Sequence, residues 1–213
     1  MTDFSLIETL RYERTSGFVR LRLHLARLRR SARRLGMSGV EGAEAALHEA
    51  VGRANCTDQA AALRVRLELL PDGRIEVKTA PFMPLAEDAV WRVRIAAERL
   101  NSSNPLLRYK TSRRAAYEAA RAEFAADEAD EVLLLNEKDE VCEGTITSIF
   151  LDDGSGALKT PPVACGLLAG VLRTELICQR RARVARLSPV DLARGTLYVG
   201  NSLRGLIRVN LLV

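Results

Sequence analysis

Histidine, tryptophan and cysteine are scarce. Two histidines in 213 residues leave too few imidazoles for a histidine-rich metal centre. Cys56, Cys142, Cys165 and Cys178 stand far apart and form no C-x-x-C pair, so neither a zinc ribbon nor a dithiol redox motif is present, and no metal ligands are expected. In a cytosolic chain of this size such cysteines are expected to be small buried thiols. No apolar run approaches the roughly 18–20 residues that span a bilayer, so no membrane partner is expected. The start, MTDFSLIETL, lacks the basic residues and apolar core of a signal peptide, and a cytoplasmic location is the expectation. Aromatic residues make up only 5% of the chain. They do not interleave with the basic residues, which argues against a nucleic-acid partner despite a net charge of +5. Lysine is rare beside arginine, and a basic pocket would suit a small anionic substrate.

What remains is an ordinary globular composition, 47% hydrophobic and 28% charged, long enough for one large domain or two small ones. Residues 3–11 and 18–23 alternate apolar and polar around Thr15-Ser16-Gly17 and predict a β-hairpin. Helices are predicted from His24 to Leu35, closed by Gly36, and over 41–54. Leu63, Val65, Leu67 and Leu69 alternate, Pro71-Asp72-Gly73 turns, and Ile75 and Val77 begin a return strand. Pro81 and Pro84 suggest a boundary, giving a small N-terminal α/β domain over 1–84 and a larger C-terminal domain over 85–213. The second domain is expected to carry strands at 89–97, 131–136, 140–142, 146–151 and 157–160. Helices are predicted at 112–126 and about 170–182, and the chain ends in short strands around a Ser188-capped turn. The fold class is α+β with mixed or antiparallel sheets.

Four short segments carry candidate chemistry. Lys110 precedes a helix in NPLLRYKTSRRAAYEAA; a solvated lysine at a helix entry is the plain alternative. Glu143 sits on an apolar strand in VCEGT; a surface carboxylate at a strand end is its alternative. Gly170-Val171-Leu172-Arg173 opens a helix, where free backbone amides and the helix dipole can bind an anion, or simply follow a turn. Arg27, in HLARL, is either an anion ligand or one solvated arginine among Arg29, Arg30, Arg33 and Arg34.

The wording of these segments resembles the class IV aminotransferases, the fold-type IV enzymes that use pyridoxal 5'-phosphate (PLP). Lys110, Thr111, Arg114, Tyr117 and Ala120 match a K-T-x-x-R-x-x-Y-x-x-A pattern. Val141, Glu143, Gly144, Thr145, Ile149 and Phe150 match V-x-E-G-T-x-S-N-I-F. By that resemblance Lys110 is the Schiff-base lysine and proton carrier, and Glu143 holds the ring nitrogen protonated. Arg27, the amides of Val171 and Leu172, and Ser202 bind the cofactor phosphate. Leu172 replaces a threonine common in the family, and Arg208 a proline. The resemblance implies a two-lobed, D-amino-acid-aminotransferase-like fold with a shortened N-terminus, and a homodimer.

Within the family, Thr9 in LIETLR and Asn201-Ser202-Leu203 resemble the 4-amino-4-deoxychorismate lyases, which release pyruvate and leave 4-aminobenzoate, a folate precursor. Thr9 is accordingly a candidate catalytic residue. A class IV transaminase of branched-chain or D-amino acids is the alternative, and it would use the same lysine.

Overall fold

The computed structural model describes residues 3–57 and 60–212. Its α-carbons divide into two compact units, Met1–Leu85 with Lys110–Arg113, and Ala86–Tyr109 with Arg114–Val213. The sequence reading assigns Lys110 to the domain that carries Glu143; the structure groups it with the first unit instead. Backbone pairing is the reason. Ile7 donates its N–H to the Lys110 carbonyl at 2.8 Å, Ser112 donates to the Ser5 carbonyl at 3.0 Å, and Leu6 bridges Thr111.

The first unit is a four-stranded antiparallel sheet in the order β2-β1-β3-β4, formed by β1 (Leu6–Glu13), β2 (Gly17–Phe18), β3 (Ala62–Leu69) and β4 (Ile75–Pro81). Two helices pack on it, α1 (Leu21–Leu35) against β1 and α2 (Ala43–Thr57) against β3 and β4. Register explains which face they cover. Leu6, Glu8 and Leu10 stand opposite Leu69, Leu67 and Val65, so these side chains share one side of the sheet, and all six are buried.

The strand expected over 18–23 is only Gly17–Phe18. Arg20 adopts left-handed backbone, φ 60°, and α1 begins at Leu21. The alternation in FVRLRL is overridden by the helical repeat that follows, in which His24, Leu25, Arg27, Leu28, Ser31 and Ala32 all face inward. Gly36 closes the helix with φ 67° and an N–H to the Ala32 carbonyl.

The second unit is an eight-stranded mixed sheet in the order β10-β9-β8-β11-β12-β5-β6-β7. Its strands are β5 (Val90–Leu100), β6 (Glu131–Asn136), β7 (Val141–Gly144), β8 (Ser148–Asp152), β9 (Leu158–Thr160), β10 (Ala182–Val184), β11 (Thr196–Asn201) and β12 (Gly205–Leu211). β6, β7 and most of β8 are buried, and the middle of β6, Val132–Leu135, reads accordingly as a continuous apolar run. The core beneath them includes Val93, Leu133, Leu135, Ile149 and Val199.

Helix α3 covers Ala115–Ala122 rather than 112–126, because Thr111 and Ser112 are already paired with residues at the start of the chain. Helix α4 covers Val171–Cys178 and stops four residues before the expected end, where Arg180 turns at φ 58°. Cys142 and Cys165 are buried free thiols, but Cys178 is exposed at the end of α4. The Cys56 side chain lies outside the described residues. Among those residues no helix is long and apolar enough to cross a membrane, and no cluster of three potential metal ligands occurs.

Candidate functional site

In the first unit a buried ionic triad forms where β1 meets α1. Arg27 donates Nε to Glu8 Oε1 at 2.8 Å and Nη2 to Oε2 at 2.6 Å, a bidentate pair of the kind that favours arginine over lysine. His24 lies one helical turn before Arg27 and places Nδ1 2.6 Å from Glu8 Oε2. All three are buried. Burial alone would raise the Glu8 carboxyl, but the Arg27 charge and the bonds from His24 and Arg27 outweigh it and hold it down at about 2. Burial pushes His24 below its ordinary value despite the opposing pull of Glu8, so its Nδ1–H donates as a neutral imidazole. Arg27 is therefore not a solvated helix arginine. Its orientation is fixed by Glu8, with Nη1 left over from the bidentate pair.

Thr9 follows Glu8 and so points to the other side of the sheet, where it is partly buried opposite Arg66. Lys110 is half-buried, and its positive charge helps depress His24.

In the second unit Glu143 is buried on β7. Its Oε1 accepts the Tyr117 hydroxyl at 2.7 Å and the Leu168 amide at 3.1 Å. Burial, and then the Glu143 charge, push the Tyr117 phenol well above its usual range, so it remains a donor. The Arg114 guanidinium lies 4.7 Å from the centre of the Tyr117 ring. Arg173 is also buried; it donates to the Pro161 carbonyl at 2.7 Å and leaves Nε without a partner. Burial lowers its affinity for a proton, and Glu143 opposes that.

Gly170 precedes α4, and the first helical bond runs from Thr174 N–H to its carbonyl at 2.8 Å. The amides of Val171 and Leu172 therefore have no carbonyl one turn back. A Cβ on Gly170 would stand 2.6 Å from Ser148 Oγ, so this end of the helix is cradled against β8 at a distance only glycine allows. Leu172 in turn packs on Gly200 of β11: a Cβ there would lie 2.9 Å from its Cδ2. Ser202, buried, sits in the turn that follows β11. Asn201 shapes that turn, its Oδ1 accepting the amides of Leu203 at 3.1 Å and Arg204 at 3.0 Å.

The second unit thus brings Glu143, the open amides of Val171 and Leu172, and Ser202 into one set of packed elements. The first holds Lys110, Arg27 and Thr9. Sequence reasoning gives no role to Glu8, His24, Tyr117 or Arg173, although each lies inside a quoted motif. The three-residue spacing of His24 and Arg27, with one more buried acid on a strand, is the available signal. In the second unit, helix-end amides and a hydroxyl suit a phosphate and a buried carboxylate suits a protonated ring N–H; in the first, a lysine can supply a covalent anchor.

A family model described as amino-transferase class IV matches residues 5–212. The chain belongs to that family. Among solved structures, a candidate amino-acid aminotransferase from Mesorhizobium loti is 47% identical, with TM-score 0.92, over 99% of this chain and 100% of that one. A candidate 4-amino-4-deoxychorismate lyase is 31% identical, with TM-score 0.81, over 97% of this chain and 84% of that one. A T.th. branched-chain amino acid aminotransferase, solved with N-(5'-phosphopyridoxyl)-L-glutamate, is 21% identical with TM-score 0.80, covers 98% of this chain and 76% of its own, and shares the fold. No curated protein matches the chain. The family and the α+β fold expected from the sequence are those found.

Proposed function

We propose that this class IV enzyme is a PLP-dependent lyase that converts 4-amino-4-deoxychorismate to 4-aminobenzoate and pyruvate. The observation that carries this reading is the Glu143 carboxylate, buried and fixed by Tyr117 and Leu168, joined to the lyase-like Thr9 and Asn201-Ser202-Leu203. When bound, PLP supplies an electron sink for negative charge on the substrate carbon that bears nitrogen. Glu143 keeps the ring nitrogen protonated, and Tyr117 prevents the carboxylate from turning away. Lys110 would anchor the cofactor and, freed when the substrate amine takes its place, would be the neutral amine that receives the proton from the substrate carbon. The electron pair left behind expels the neighbouring enolpyruvyl group, which picks up a proton and leaves as pyruvate. Arg27, the Val171 and Leu172 amides and Ser202 hold the phosphate, while Thr9 contacts substrate.

A second reading is favoured by one finding, the 47% identity to a candidate amino-acid aminotransferase. It uses the same residues, but Lys110 would return the proton to complete an amino-group exchange, and no neighbouring group would leave the substrate. Incubating the PLP-loaded enzyme with 4-amino-4-deoxychorismate, with lactate dehydrogenase reporting pyruvate, separates the two. Pyruvate and 4-aminobenzoate in equal amounts support the lyase. Pyridoxamine phosphate formed from ordinary amino acids, with no pyruvate from this substrate, establishes the transaminase instead.

A further inference from the structure

Glu131 opens β6 wholly buried, at 0% exposure, and the mechanism above makes no use of it. Its carboxylate accepts from five donors. Oε1 takes the amides of Val132 at 2.9 Å and Thr145 at 3.0 Å together with the Thr145 hydroxyl, and Oε2 takes the Ile146 amide at 3.1 Å and the Thr147 hydroxyl at 2.8 Å. Among the described residues no basic side chain is a hydrogen-bond or ion-pair partner of Glu131. A buried carboxylate held by neutral donors alone is expensive and persists only when every donor is aimed at it. A carboxylate is also the one side chain that can accept all of them, because an amide of the same shape brings two donors of its own.

The segment wrapped around Glu131 is the turn between β7 and β8. Gly144 permits the close fit: a Cβ there would lie 2.8 Å from Glu131 Oε2 and 2.3 Å from Thr147 Oγ1. Backbone bonds close its base, from Gly144 N–H to the Thr147 carbonyl at 2.8 Å and from Thr145 N–H to the Val132 carbonyl at 3.0 Å. At its tip Ile146 is 47% exposed, and the bond from its amide to the Glu131 carboxylate helps tie the tip inward. Three groups of the proposed site hang from this turn. Glu143 precedes it, separated only by Gly144. Ser148 immediately follows, with its Oγ against Gly170. The Ile146 carbonyl accepts Asn201 Nδ2 at 3.2 Å, and Asn201 shapes the Ser202 turn. The Thr145 carbonyl further receives Arg114, which lies over the Tyr117 ring.

We infer that Glu131 is a positioning residue, one that sets Glu143 and the Ser148–Gly170 and Asn201–Ser202 groups in register through the turn Thr145–Thr147. The inference rests on the PLP reading above. It is tested with Glu131→Gln, which must set its amide NH2 against at least one backbone N–H, and with the pair Thr147→Val and Thr147→Ser, which removes or keeps one donor. Each protein is loaded with PLP, and four quantities are read: the cofactor absorbance band, the rate of cofactor loss on dialysis, the split between kcat and KM, and the Tm of the cofactor-free protein. Glu131→Gln is expected to lower kcat at least ~10-fold with KM changed by less than ~3-fold, to displace the absorbance band and to release cofactor ~10-fold faster. Thr147→Val should follow in the same direction, and Thr147→Ser should restore the wild-type band.

If Glu131→Gln changes only Tm, with wild-type spectrum, retention and kcat, the residue is structural and the inference is overturned. Should that variant not fold, Thr147→Val with a wild-type spectrum and kcat overturns it equally. Wild-type protein that takes up no PLP would refute the proposed function, and this inference with it, so the two failures are told apart.

Discussion

Replacing Arg27 with methionine removes both guanidinium bonds to Glu8, at 2.8 and 2.6 Å, and leaves a carboxylate that is 3% exposed with the His24 N–H as its remaining partner in the triad. Removing one member of a buried ion pair typically costs about 3–5 kcal/mol, because the other charge remains buried and unpaired. That is a large share of the roughly 5–15 kcal/mol by which domains are stable. The wild-type pH dependence gives an independent magnitude. A carboxyl held at about 2 when folded, against 4.5 ordinarily, stabilises by about 3 kcal/mol, since each pKa unit is worth about 1.4 kcal/mol. Because the folded value is depressed, this contribution is fully present above pH 4.5 and is lost as pH falls from there toward 2. Urea unfolding of cofactor-free protein followed by circular dichroism at pH 8, where His24 stays neutral, measures the first quantity. Glu8→Gln/Arg27→Met, which removes both charges and leaves His24 an acceptor, should recover most of the loss. Arg27→Met within about 1 kcal/mol of wild type, or a double variant no more stable than the single, would refute the claim that the triad is a coupled ionic unit.

Tyr117→Phe should lower turnover about 10- to 100-fold, the equivalent of losing one hydrogen bond to a charged group, with a near-native circular dichroism spectrum; unchanged turnover would remove Tyr117 from the account. An ultraviolet titration should find one tyrosine whose ionisation is displaced well upward, and its absence from Tyr117→Phe identifies it. Gly170→Ala puts a Cβ 2.6 Å from Ser148 Oγ and should cost about 1–3 kcal/mol in thermal unfolding. Adding Ser148→Ala should return much of that loss, and no such rescue would mean that the close approach is not what requires glycine.

Much of this is legible in the sequence where one residue's surroundings lie nearby along the chain. The runs at 63–69 and 131–136 are strands because their alternation or continuous apolarity directly records one or two buried faces. Where distant backbone decides, local pattern misleads. FVRLRL alternates like a strand, but its second half is the first turn of α1. Residue 112 reads as the start of α3, but Thr111 and Ser112 are taken by Leu6 and Ser5, more than a hundred residues earlier. The same limit applies to the site. Arg27 reads as one of several helix arginines, and only Glu8, 19 residues upstream, sets it apart. Tyr117 is 26 residues from Glu143, and Glu131 is 14 to 16 residues from the turn it holds; no periodicity links them. Only the motifs that name Lys110, Glu143 and Gly170 tie these segments to one chemistry.

Lys110 is the residue assigned to carry the cofactor. Borohydride reduction of the PLP-loaded protein, followed by proteolysis and mass spectrometry, tests it most directly, because reduction makes the lysine–cofactor bond permanent. A phosphopyridoxyl group is expected on the peptide containing Lys110, and is expected to be lost in Lys110→Ala. A label on Lys78, Lys138 or Lys159, or no label on protein that retains PLP, would contradict it.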